Sequence, residues 1–235
     1  ATPSNAHKQI FTMAQATYDD NHNLWIFFGT GENNDPTYKP TEANPDTSET
    51  KNRLYAVKED PNFTATYSSS QLENITSSRY TDSSEKHGWY INLSTNPLTR
   101  SDNTVISNPI GEKMISDPAI FGGMVYYATY VPDQEEDSAC GRSGDAFLYK
   151  LNYKTGAGGD ANPDDPSDIG TRTSYMGHGI GSSILISYAP QYKDADIYAT
   201  ASGGAGTGAL TQTMGKAAKN SSMTNVLYWR DRRLQ

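Results

Sequence analysis

Three segments of the sequence share one pattern, in which an apolar run, a tight polar or glycine-rich turn and a second apolar run follow one another and end in small residues. The segments are residues 10–31, 114–130 and 182–204. The second turns at Gly122-Gly123, a dipeptide suited to the positive φ angles of a two-residue hairpin. This repetition predicts antiparallel hairpins along the chain and limits the fold more than any other feature.

A further strand is predicted after each of the first two segments. The sequences NRLYAVKEDPN, from Asn52, and AFLYKLNYKTG, from Ala146, both place Leu-Tyr at the start of an alternating run that ends in turn residues. Small antiparallel sheets repeated in this way are typical of a β-propeller. We therefore predict an all-β chain holding roughly three to four propeller blades. A β-sandwich is the alternative, but it does not predict the small residues at the strand ends, which let backbones crowd near a propeller axis.

The composition agrees with strands rather than helices. The chain has 16 Tyr, 6 Phe and 3 Trp, residues that favour strands, whereas good helix formers are sparse. Long insertions are predicted at residues 33–51, 63–87 and 156–174. Residues 200–224 are rich in Gly, Ser and Thr and are predicted to be an extended connection, followed by a closing strand at 225–233.

The predicted blade count lies at the lower limit for a closed ring. We therefore interpret residues 1–235 as the C-terminal portion of a single β-propeller domain, completed by an upstream part of the same propeller or by a partner chain. The chain does not begin with Met, so we expect a processed piece or the ordered part of a longer protein.

The charge and hydropathy exclude some partners. A formal net charge of −8 opposes close approach to nucleic acid or to an anionic membrane. No stretch approaches the roughly 20 apolar residues of a membrane helix, so no membrane insertion is predicted.

Several stretches, in the expected order, resemble the C-terminal propeller region of the PilC/PilY family of type IV pilus tip adhesins and biogenesis factors. They are LWIFFGTGEN (24–33), RLYAVKED (53–60), HGWYINL (from His87), GEKMISDPAIFGGMVYYATYVPDQEEDSACG (111–141), AFLYKLNYKTG and NVLYWRDRR. The resemblance implies a secreted β-propeller at the bacterial cell surface, at the pilus tip or outer membrane. It also implies roles in adhesion, pilus assembly and twitching motility, with minor pilins or pilus subunits and a host or surface ligand as partners.

One acidic stretch has the donor spacing of a calcium loop. Asp160, Asn162, Asp164 and Asp168 place oxygen donors at the first, third, fifth and ninth positions of a turn, and Ca²⁺ takes six to eight such oxygens. The resemblance implies the same spacing with Asp at every position, so Asn162 departs from it. Calcium is the predicted cofactor, and a solvated acidic turn is the alternative.

No catalytic motif is found. The four histidines lack the spacing of zinc ligands, residues 177–182 lack the Gly-x-Ser-x-Gly order, and Gly29-Thr30-Gly31 lacks the lysine of a phosphate loop. Cys140, the one cysteine in the sequence, is interpreted as inert or as paired with a residue elsewhere. A non-catalytic module is therefore predicted. Two alternatives stay open: a structural subunit of an extracellular filament completed by a partner chain, and a fragment of a quinoprotein-like dehydrogenase propeller.

Overall fold

Side chains alternate between buried and half-buried along several strands, as expected for strands with one well-covered face. The computed structural model describes residues 9–32, 34–39, 51–60, 67–83, 85–133, 144–189, 194–202 and 212–216. Within these ranges there are fifteen β-strands, one 3₁₀ turn at Ser69–Gln71 and no α-helix. The predicted all-β class is confirmed for this part of the chain.

The strands are short, and most are joined as hairpins. They are β1 (Gln15–Tyr18), β2 (Leu24–Gly29), β3 (Arg53–Lys58), β4 (Glu73–Asn74), β5 (Gly88–Asn92), β6 (Leu98–Thr99), β7 (Val105–Ile106), β8 (Lys113–Met114), β9 (Ala119–Phe121), β10 (Met124–Val131), β11 (Asp145–Asn152), β12 (Thr173–His178), β13 (Leu185–Ala189), β14 (Asp194–Ala199) and β15 (Gln212–Lys216).

The three predicted hairpins are all present, as β1–β2, β9–β10 and β13–β14. The β9–β10 turn consists of Gly122 and Gly123, with φ angles of 59° and 79°, which is why glycine is favoured there. The two additional predicted strands are β3 and β11. The hairpin interpretation of the sequence is therefore confirmed.

The strands form three main sheets and one small hairpin. The first sheet has the order β1-β2-β3-β5-β4, with only the β4–β5 pair parallel. The second has the order β12-β11-β10-β8, with β9 also paired to β10, and the third has the order β13-β14-β15. The β6–β7 hairpin stands apart. These described sheets are not closed into a ring, so they support the all-β class but not, by themselves, a propeller.

The second sheet lies between two hydrophobic cores. Side chains of β10 alternate between them, so that Val125 and Tyr127 face the core shared with the first sheet. Met124 and Tyr126 face the core shared with β13 and β14 of the third sheet. All eight residues of β10 are buried. The three sheets are thus stacked face to face, with the second in the middle.

Some predictions fall partly or wholly outside the described residues. The segment predicted to be an extended connection, 200–224, contributes β15, which pairs with β14. The predicted closing strand at 225–233 and Cys140 lie outside the described ranges. Among the described residues, no helix is long and apolar enough to cross a membrane.

Small residues allow the end of β2 to approach the second sheet closely. A Cβ atom added to Gly31 would overlap the backbone carbonyl oxygen of Met114. That backbone is held in place, because the Met114 amide donates to the Thr30 carbonyl at 3.1 Å. Gly31 therefore makes the contact between two sheets possible by lacking a side chain.

A buried carboxylate also joins these sheets. Glu112 is 1% exposed. Its Oε1 accepts hydrogen bonds from the Thr129 and Tyr149 hydroxyls of the second sheet, each at 2.9 Å. Its Oε2 accepts from the amide of Ser94, just after the first sheet's β5, at 2.9 Å. Burial raises the pKa of the Glu112 carboxyl, although these donors oppose the effect.

Replacing Gly31 with alanine is expected to destabilise the fold by about 2–3 kcal/mol, because the new methyl group meets backbone atoms that cannot move cheaply. Urea unfolding followed by circular dichroism measures the loss. Gly159→Ala is the matched control, since a Cβ there meets only the ends of the Lys150 and Met124 side chains, at 3.3 and 3.5 Å. Equal stability of the two variants would contradict the close approach.

The Glu112 carboxyl predicts a pH dependence of stability. Because its pKa is raised in the folded state, the folded protein binds the proton more tightly than the unfolded chain, whose value is 4.5. The free energy of unfolding should therefore fall as pH rises from about 4.5 through the folded pKa. Glu112→Gln should flatten this decline, and the exposed control Glu59→Gln should leave it unchanged. Thermal unfolding at a series of pH values tests this, and identical profiles for wild type and Glu112→Gln would refute it.

Candidate functional site

The predicted calcium loop lies between β11 and β12, on the surface. Asp160, Asn162 and Asp164 are exposed and Asp168 is half-buried. Gly158 forms an isolated bridge with Leu151 just before the loop. The loop is therefore anchored to the middle sheet while its acidic side chains remain in reach of solvent.

Hydrogen bonds within the loop engage most of the predicted donor groups. Asp168 accepts the amides of Asn162 at 2.7 Å and Gly170 at 2.9 Å, one on each carboxylate oxygen. Asp160 Oδ1 accepts the Thr171 amide at 2.6 Å, and hydrogen bonding to Thr171 lowers the pKa of Asp160. The Asn162 side-chain oxygen accepts the Asp164 amide at 3.0 Å. In these contacts, side-chain oxygens accept hydrogen bonds from backbone amides of the same loop. Such hydrogen bonds stabilise a turn without an ion.

A protein cation also contacts this loop. The Arg79 guanidinium donates to the carbonyl oxygens of Asn162 at 3.0 Å and Pro163 at 2.9 Å. In the ranges that the structure describes, no three His, Cys, Asp or Glu side chains come together as a group that could hold a metal. The structure thus does not bring the four predicted ligands together around one point, and calcium binding stays a prediction.

A different polar cluster lies at the end of the β11–β12 strand pair. Asp145, the first residue of β11, has a side chain only 5% exposed. Its Oδ2 accepts from Arg100 Nε at 3.0 Å and Nη2 at 2.6 Å. Its Oδ1 accepts from the Tyr175 hydroxyl at 3.0 Å and lies 2.9 Å from His178 Nδ1. We call these four residues the Asp145 cluster.

Burial and charge act together in the Asp145 cluster. The hydrogen bond to Asp145 raises the pKa of Arg100. Burial, followed by the negative charge of Asp145, raises the pKa of Tyr175, so its hydroxyl stays protonated and acts as a donor. The cluster therefore holds one nearly buried carboxylate with a cation and further polar partners around it, as a stable buried charge requires.

His178 is the exposed member of the Asp145 cluster. Its side chain is 60% exposed. The Asp145 carboxylate at Nδ1 orients the imidazole, so that Nε2 is the nitrogen left for a ligand. The ring also packs edge-on against Tyr175, with centroids 6.0 Å apart. The arrangement can orient a histidine at the surface and can join the β6–β7 hairpin region to the second sheet through Arg100.

The sequence did not reveal this cluster because its members are far apart in the chain. Arg100 and Asp145 are 45 residues apart, and Asp145 and Tyr175 are 30 apart. The signal that could have found it is strand pairing, since Asp145 and His178 are register partners in the β11–β12 ladder. That pairing places both residues at the same end of the sheet.

The chain is 34% identical over 89 residues to a protein of Xylella fastidiosa (strain Temecula1 / ATCC 700964) named "Type IV pilus biogenesis factor PilY1 homolog". The match covers 38% of this chain and 5% of that protein. No protein-family model matches the chain, and no solved structure does so either. The comparisons therefore support a partial similarity to PilY1-type proteins.

Proposed function

We propose that this chain is a non-catalytic module of the type IV pilus system that acts through its surfaces in adhesion and pilus assembly at the pilus tip. The observation that carries the proposal is the 34% identity over 89 residues to a protein named as a type IV pilus biogenesis factor. The chain spans only 5% of that relative. Extending the role of the full-length relative to this chain is therefore a proposal. The ordered family-like motifs of the sequence support the same assignment.

We further propose that the three stacked sheets are consecutive blades of a β-propeller, completed by an upstream part or by a partner chain. Two features support this fold. The middle sheet is covered on both faces by neighbouring sheets, as a blade is. The small strand-end residue Gly31 lies against Met114 of the next sheet, as expected where backbones crowd near an axis.

The proposed setting is the bacterial cell surface, with secretion, and the proposed partners are minor pilins or pilus subunits and a host or surface ligand. A net charge of −8 favours cationic or neutral partners over anionic ones. In the Asp145 cluster the carboxylate is engaged by Arg100 and Tyr175, an arrangement suited to holding structure together. Surface recognition rather than turnover is the proposed mode of action.

Calcium binding by residues 160–168 is part of the proposal. It is supported by a donor set that consists only of oxygens, which suits a hard cation. Both Asp168 oxygens and one Asp160 oxygen already accept amide hydrogen bonds, so an ion has to compete with these contacts.

The calcium proposal predicts a response to chelation. At a calcium concentration well above the Kd, the Tm should be higher than in EGTA. The reason is that calcium which binds only the folded state raises the free energy of unfolding. Asp164→Asn should reduce this response, because it removes a carboxylate that, within the described part of the chain, accepts no hydrogen bond from another residue while only the Asp164 amide is engaged. Asp102→Asn, an exposed aspartate outside the loop, is the control and should keep the response. An identical Tm in calcium and EGTA would exclude the ion.

The pilus proposal predicts a defect in surface piliation. In the organism that encodes this chain, an in-frame deletion of the coding sequence for residues 1–235 should lower the amount of sheared surface pilin several-fold and reduce twitching zones. Immunoblots of sheared and whole-cell pilin separate failed assembly from failed expression. Re-expression of the wild-type protein should restore both readouts.

Unchanged piliation, twitching and surface attachment in the deletion strain would reject the pilus role. Dye-linked oxidation of alcohols or sugars by the purified chain after addition of a quinone cofactor would reject the non-catalytic assignment and favour the dehydrogenase alternative. The two readouts are independent, since the first measures assembly in cells and the second measures turnover in solution.

A further inference from the structure

The sequence contains four Asn-x-Ser/Thr triplets, the acceptor pattern for N-linked sugars. They begin at Asn62, Asn74, Asn92 and Asn220. The triplets at 62 and 220 lie outside the described ranges. The other two belong to neighbouring strands of the first sheet, since Asn74 ends β4 and Asn92 ends β5. The contacts of their side chains separate these two triplets.

Asn74 is exposed, and its carboxamide is held in one orientation. Its Oδ1 accepts hydrogen bonds from the Thr76 hydroxyl at 2.6 Å and from the Thr76 amide at 3.1 Å. Thr76 is itself fixed, because it is 5% exposed and its hydroxyl accepts the amide of Asn92 at 2.9 Å. With Oδ1 engaged in this turn, the amide nitrogen lies on the other side of the planar group. Within the residues that the structure describes, Asn74 Nδ2 donates no hydrogen bond to the protein, so this nitrogen is accessible.

The triplet at Asn92 has the same residue types but different contacts. Asn92 is half-buried, and its Oδ1 accepts Arg53 Nε at 2.9 Å. Ser94 is 3% exposed, and its hydroxyl accepts the Glu112 amide at 2.9 Å. In the described part of the chain, no hydrogen bond joins the Ser94 hydroxyl to the Asn92 carboxamide. This triplet therefore belongs to the packing beside the buried Glu112 and does not present an accessible amide.

The position of Asn74 in the sheet leaves room for a substituent. Among the described strands, β4 pairs only with β5 and forms the edge of the first sheet. Ser77 and Ser78, which follow the triplet, are exposed. A sugar on Asn74 therefore meets no neighbouring described strand, and bulky, solvated groups of this kind suit a protein surface.

We propose that Asn74 is a glycosylation site, to which a transferase attaches a sugar from a nucleotide- or lipid-linked sugar diphosphate. In this transfer, Asn74 Nδ2 forms a bond to the anomeric carbon of the sugar while the bond from that carbon to the diphosphate oxygen breaks. The diphosphate leaves with the bonding electron pair, and one Nδ2 proton passes to a base of the transferase. The products are glycosylated Asn74 and the free diphosphate carrier. This inference rests on the contacts of the Asn74 triplet and does not depend on the pilus assignment.

Mass spectrometry of the protein isolated from its own organism tests the proposal. Chymotryptic cleavage after Tyr67 separates Asn62 from Asn74, and electron-transfer fragmentation locates the sugar on one residue. Most copies should carry a sugar on Asn74, and Asn92 should be unmodified. Asn74→Asp should abolish the modification, because it keeps the oxygen that accepts from Thr76 but lacks the nitrogen. The matched control Asn92→Asp should keep the sugar on Asn74.

Several results would overturn the proposal. They are an unmodified Asn74, a sugar carried by the hydroxyl of Ser77 or Ser78 instead of Asn74, and equal modification of Asn92 and Asn74. Two results would support it and identify the sugar donor. Glycans that differ by single sugars among copies would indicate stepwise transfer from nucleotide-linked sugars, and one uniform oligosaccharide would indicate transfer in one step from a lipid carrier. Thr76→Ser provides a further check, since it keeps the hydroxyl and should keep the sugar.

Discussion

The burial of both faces of the second sheet is the constraint on which the rest of this structure depends. All eight residues of β10 are buried, and its side chains alternate between two separate cores. A strand of this kind cannot be stable in a sheet with one wet face, because large aromatic surface would remain in water. The first and third sheets are therefore required as covers, and the stack of three sheets follows from this one strand pair, β10–β11.

Buried polar groups add specific connections to this stack. Glu112 joins Ser94, beside the first sheet, to Thr129 of the second. Arg172 donates to the carbonyl oxygens of Ile75 and Ser78, and burial lowers the pKa of its guanidinium to about 10. Such groups are costly when left without partners. Each one therefore favours the arrangement of sheets and loops in which its partners are present.

Two polar regions of the second sheet, which lies in the middle of the stack, reach the surface. On the second sheet, the Asp145 cluster orients His178 at the surface by means of a nearly buried carboxylate. The acidic loop at 160–168, in contrast, is stabilised by its own hydrogen bonds and by Arg79.

The sequence by itself determined the hairpins, the two additional strands β3 and β11 and the all-β class. The reason is that strands and hairpin turns follow from local patterns, namely alternating apolar and polar residues and glycine-rich turns. The small residues at strand ends predicted close approach of backbones near a propeller axis; Gly31 makes such an approach to Met114, whereas the axis itself stays a prediction. The sequence could not show the Asp145 cluster, whose members meet only through the β11–β12 pairing and the position of Arg100. Nor could it show that Asp168 would accept loop amides. Only the tertiary structure decided these points, since contacts between residues 30 or 45 positions apart depend on which strands pair and on where Arg100 lies, and not on local spacing.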